Sequence, residues 1–72
     1  MNWINENILI DFELPRDIKE IADECERFNA EGNYAYDNYA DLLGNMCKEA
    51  YRQGHLTRKQ WDLMELRYIY GN

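Results

Sequence analysis

Serine and valine are missing from these 72 residues, and threonine occurs once, at Thr57. Hydroxyl nucleophiles are therefore scarce, and of the β-branched residues that favour strands only isoleucine recurs, which tilts the chain towards helix. His55 is the only histidine, and the two cysteines, Cys25 and Cys47, do not form a CxxC pair. That set gives no closed ligand cluster, so neither a metal nor a cofactor is expected. A Cys47/His55 pair would lack a third group to orient its base, and the chain is read as non-enzymatic. Long apolar runs are missing too. Met1 to Leu14 has no basic leader, and its one apolar run, Ile8 to Ile10, ends at Asp11. This predicts neither a signal peptide nor a membrane span, and a cytoplasmic location is expected.

What the chain does contain is charge, unevenly placed. Residues 1–45 carry eleven acidic and three basic side chains, whereas residues 46–72 carry three acidic and five basic ones. The net charge is −6 and the isoelectric point is near 4.6. Such a field repels phosphate backbones, so direct nucleic-acid binding is not expected. Another protein, with a basic or apolar surface, is the more natural partner. At this length one domain is expected over residues 1–72, with a core small enough to need aromatic packing or self-association.

Apolar residues recur at Ile18, Ile21, Ala22, Cys25 and Phe28, one face of a helix over about residues 15–30. Pro15 suits its first position, with Asp17 two residues on, and Gly32 suits a left-handed residue after its end. Asn33 then offers an N-cap for a second helix, about 34–53, whose apolar residues Tyr36, Tyr39, Ala40, Leu43, Met46, Cys47, Ala50 and Tyr51 span half its circumference. Asp37 and Asp41 near its start, with Lys48 and Arg52 near its end, complement its dipole. In this hairpin Cys25 and Cys47 stand about seven residues out of level, roughly 10 Å, beyond disulfide reach. Gly54 ends the second helix, and Thr57 and Gln60 form a capping box for a third, about 58–70. The fold predicted is an all-α, three-helix up-down-up bundle. The arm before it alternates Ile8, Ile10, Phe12 and Leu14 with Asn7, Leu9, Asp11 and Glu13, the period of an extended segment or short strand over about 7–13.

Three features point towards function. The third helix carries two opposed apolar stripes, Trp61/Met64/Tyr68 and Leu63/Leu66/Tyr70, and only one can face the other helices. The second needs a cover: the arm, a second copy of the chain, or a foreign partner. On the first helix Asp17, Glu20 and Glu24 form an acidic edge, continued by Glu31, that fits electrostatic steering of a basic partner. His55, Arg58 and Lys59 gather near the start of the third helix, where free backbone N–H groups would add to a small anion contact. Tyr34, Tyr36 and Tyr39 resemble a base-stacking series, but Glu31, Asp37 and Asp41 flank them, which favours a core role for Tyr36 and Tyr39.

In size and acidity the chain resembles small inhibitors of phage and mobile elements, anti-restriction and anti-CRISPR proteins among them; no shared motif carries the likeness. That resemblance implies an alternative, a nucleic-acid mimic that blocks a DNA- or RNA-handling enzyme. The leading expectation is an inhibitor, regulator or assembly factor that binds another protein through Leu63, Leu66 and Tyr70, steered by Asp17, Glu20 and Glu24. A homodimer that exchanges its arm is the third reading.

Overall fold

The computed structural model describes residues 2–70, and among them the chain forms three α-helices and no strand. These are α1 (Arg16–Glu31), α2 (Ala35–Arg52) and α3 (Arg58–Tyr68). Their order and faces are those the apolar spacing predicts. Ile18, Ala22, Cys25 and Phe28 of α1 are buried against Tyr36, Ala40, Leu43, Cys47 and Ala50 of α2, with Met64 and Tyr68 of α3 closing the core. Because α2 packs on both neighbours while α1 and α3 barely meet, the half-circumference spread of its apolar residues is accounted for.

Both loops use one device. After α1, Gly32 adopts φ 66°, and the N–H groups of Gly32 and Asn33 donate to the carbonyls of Asn29 and Phe28 at 3.3 and 2.9 Å. After α2, Gly54 at φ 81° repeats it, with Gly54 and His55 donating to Tyr51 and Ala50. These are Schellman closures, which satisfy the last carbonyls of a helix and need a residue tolerant of positive φ. The capping box forms as well. The Gln60 N–H donates to the Thr57 hydroxyl at 3.1 Å, and the Thr57 N–H donates to the Gln60 side chain at 2.9 Å. Leu56, buried just before the cap, and Trp61, packed on the core, occupy the two positions of a hydrophobic staple.

The helix starts differ from expectation by a residue. Pro15 stands before α1 with an extended ψ of 144° rather than at its first position, so Asp17 is second in the helix and its carboxylate takes the neighbouring Ile18 N–H at 2.9 Å. Asn33 caps as expected through its side chain, which accepts from the Ala35 N–H at 2.9 Å, while Tyr34 is already helical in φ and ψ. At the far end α3 stops at Tyr68, short of residue 70.

Residues 2–14 form an arm and not a strand. Burial still alternates along it: Ile8, Ile10, Phe12 and Leu14 are half-buried, and Asn7, Leu9, Asp11 and Glu13 are exposed. The period-two pattern thus reports side-chain docking on one face, without a partner strand. Its deepest residue is Ile4, fully buried and worth about 2 kcal/mol by area.

Candidate protein-binding surfaces

The arm is held by one junction between α1 and α3. Arg67 of α3 donates through Nε and Nη2 to Glu26 Oε2 of α1, at 3.2 and 2.9 Å, and through Nη1 to the Ile8 carbonyl at 2.7 Å. The Tyr68 hydroxyl donates to the same Glu26 oxygen at 2.7 Å, and the Asn5 N–H donates to the Arg67 carbonyl at 2.9 Å. Burial works against the Arg67 guanidinium, but its bonds with Tyr68 and Glu26 outweigh it and leave its pKa above the ordinary value. Nearer the start, the Trp3 N–H donates to Asn29 Oδ1, and the Trp3 ring stacks on Tyr36 at 5.2 Å. The Tyr36 hydroxyl in turn donates to the Tyr68 carbonyl at 2.6 Å. Docked in this way, the arm bridges α1 and α3.

That position decides which part of α3 is covered. Met64 and Tyr68 lie in the core and Trp61 packs against it, whereas Leu63 is half-buried and outside the core, Leu66 is 45 % exposed and Tyr70 69 % exposed. Leu63 and Leu66 share one helical face by their spacing of three, whereas Tyr70, expected on the same stripe, lies beyond the end of α3 because the helix stops at Tyr68. The arm therefore leaves the outer part of the second stripe open.

The acidic edge of α1 is brought together but largely matched from within. Glu20 lies 3.5 Å from Arg16, Glu24 is bonded to Arg27, and Arg27 also reaches Glu31 at 3.4 Å. On the adjoining face Lys19 pairs with Asp23 at 3.0 Å. Asp17 is occupied at the helix start. The carboxylates without an ion pair or hydrogen bond among the described residues lie elsewhere, Glu6, Asp11 and Glu13 on the arm, Asp37 and Asp41 at the start of α2, and Glu65 on α3. Sequence spacing found the α1 edge, but it could not show that two arginines of the same helix, Arg16 and Arg27, would turn towards it.

His55, Arg58 and Lys59 are exposed, and each has different surroundings. Arg58 pairs with Asp62 at 3.1 Å and lies over the Trp61 ring at 4.6 Å. His55 lines a groove of about 200 Å³ with Asp17 and Glu49, neighbours that suit a cation better than an anion. Beneath Arg58 the Trp61 indole packs on Tyr51 with centroids 5.2 Å apart and rings tilted by 32°, and its buried N–H has no partner among the described residues. Both cysteines are free and buried, and burial pushes each thiol up to about 12, aided by Glu26 and Glu24 at Cys25 and by Glu65 at Cys47. Such thiols are poor nucleophiles at neutral pH. Among the described residues no three His, Cys, Asp or Glu side chains are grouped to hold a metal ion, and no helix is long and apolar enough to cross a membrane.

The residues that sequence reasoning missed are Glu26, Arg67 and Ile4. Only an arginine one residue before the buried Tyr68 hinted at the first two, and Ile4 falls outside the alternation that singled out the arm. No family model, curated protein or solved structure matches the chain.

Proposed function

We propose that this chain works by binding another protein, using the outer face of α3 as its apolar contact. The observation that carries this reading is the exposure of Leu66 and Tyr70 on a face that the chain's own arm does not reach. Leu63 and Leu66 stand at i and i+3, the spacing by which a helix meets an apolar groove, and Tyr70 adds an exposed ring just past the helix end. Asp17, Glu20 and Glu24 contribute at longer range, because a helix with six acidic and three basic side chains keeps a negative field after its internal pairing. The test is Leu66→Asp, with Tyr70→Ala as a milder second variant, in a pull-down from the native host at two ionic strengths. Loss of the captured protein at both salt concentrations, with the circular dichroism unchanged, supports an apolar contact through α3. Capture that persists in both variants sinks it.

The nucleic-acid-mimic reading draws on the excess of acids in residues 1–45, and predicts a complex that weakens steeply with salt. Internal pairing along α1 reduces the contiguous charge such a mimic needs. Self-association through the same α3 face is separated by light scattering, where a monomer at micromolar concentration excludes it.

A further inference from the structure

We propose that the groove between the N-terminal arm and α1 is a docking site for an extended segment of a partner protein in which apolar and basic side chains alternate. The groove holds about 580 Å³, within the range of specific ligand sites. It is lined by the arm from Leu9 to Leu14, by α1 residues between Lys19 and Glu26, and by Arg67 and Tyr68 of α3. Its floor is apolar, made by Ile10, Phe12, Leu14 and Ala22, with Leu9 72 % exposed at its mouth.

Charge selects the occupant. Both cations of the groove are already matched, Lys19 by Asp23 at 3.0 Å and Arg67 by Glu26 at 2.9 Å. Asp11 and Glu13 remain, exposed and without an ion pair, at alternate positions on the arm. An occupant that lays apolar side chains on Ile10, Phe12 and Leu14 brings its intervening side chains to the level of these two carboxylates, where arginine or lysine fits and glutamate does not. The arm also offers main-chain partners. Residues 9–14 make no hydrogen bond within the described chain and belong to no helix, with a bend at Phe12, so their N–H and C=O groups have no main-chain partner among the described residues and can pair with a neighbouring segment.

A second copy of this chain does not fit the same site. Among the described residues its longest segment outside the helices is its own arm, whose Glu6, Asp11 and Glu13 would meet like charges, and its lysines and arginines all lie in helices.

The proposal rests on the reading that the chain binds proteins, but on a face separate from α3. It is tested on the full chain by two-dimensional NMR titration with a capped hexapeptide of alternating leucine and arginine. Two control peptides replace arginine by its neutral isostere citrulline or by glutamate. The expected result is saturable binding below about 1 mM, with shifts at residues 9–14, Ala22 and Asp23. The double variant Asp11→Asn/Glu13→Gln should weaken it about tenfold, the scale of two rim charge pairs, while the circular dichroism stays unchanged. Leu66→Asp should leave peptide binding intact, so a failure here is separable from a failure of the α3 reading. Shifts confined to the Glu20/Glu24 edge or to α3 overturn the proposal, as does equal binding of the citrulline peptide or no saturation.

Discussion

Removing the guanidinium of Arg67 should detach the arm before it unfolds the helices. Arg67→Met keeps the aliphatic stem and discards the charge and every side-chain donor. The side chain is only 16 % exposed, and its bonds reach three partners, the Glu26 carboxylate, the Ile8 carbonyl and, at 3.4 Å, the Asn5 carbonyl, which also accepts from the Ile8 N–H. Hydrogen bonds involving a charged group contribute about 1.5–3 kcal/mol each. Glu26 is 41 % exposed and keeps its bond from Tyr68, so solvent screening brings that ion pair down to about 1 kcal/mol. The Ile8 carbonyl loses its only donor, at about 1.5–2 kcal/mol. Together the loss is about 2–3 kcal/mol, against a total stability of about 4–10 kcal/mol for a domain of this size. The midpoint of thermal unfolding should fall by about 10–20 °C. Urea denaturation followed by far-ultraviolet circular dichroism measures the global loss, and hydrogen exchange at the Asn5 amide, bonded to the Arg67 carbonyl, measures the arm. Glu26→Gln serves as the comparison, because it weakens the ion pair but leaves the Ile8 bond, and should cost about 1 kcal/mol. A loss below about 0.5 kcal/mol for Arg67→Met, or a larger loss for Glu26→Gln, refutes the view that this junction holds the arm.

Two further outcomes follow from the core. The thiols of Cys25 and Cys47 titrate near 9 when unfolded and are pushed up to about 12 when folded, so the stabilisation they give is complete below pH 9 and is lost as pH rises from 9 towards 12. Between those limits each thiol costs about 1.4 kcal/mol per pH unit, and the buried phenols of Tyr36 and Tyr68, also raised by burial, act in the same direction. Stability should fall by about 2–3 kcal/mol between pH 9 and 10, and a Cys25→Ala/Cys47→Ala variant should show a shallower alkaline slope in urea titrations at fixed pH. At Gly44, a Cβ would stand 2.7 Å from Ile69 Cδ1, so Gly44→Ala gains about 1 kcal/mol of helix propensity only by displacing Ile69. Gly44→Ala should therefore stabilise more in an Ile69→Val background than in the native one, by at least about 0.5 kcal/mol in a double-mutant cycle. An additive result would show that Ile69 yields freely.

The sequence carried the helices because helix formation here is locally encoded. Apolar spacing set the buried faces, and residues within one or two turns set the ends: Gly32 and Gly54 at the Schellman closures, Asn33 and the Thr57/Gln60 box at the starts. Where local signals compete, the boundary shifts. Pro15 satisfies a helix start equally well just outside or just inside it, and the chain places it outside. The alternation of residues 7–14 likewise predicted which arm side chains turn inward, but alternation is shared by strands and docked arms, and only the absence of a neighbouring strand separates them.

Composition and spacing, then, determined the all-α class, the three helices and the two apolar stripes of α3, since each rests on contacts within a few residues. The tertiary structure decided which charges remain available and which stripe remains uncovered. Long flexible side chains choose partners by proximity in space: Arg16, Lys19 and Arg27 occupy the acids of α1, and Arg67 and Glu26 meet across 41 positions to fix the arm. That docking joins the arm to both α1 and α3, while Leu66 and Tyr70 stay exposed and Asp11 and Glu13 stay unmatched beside an apolar groove.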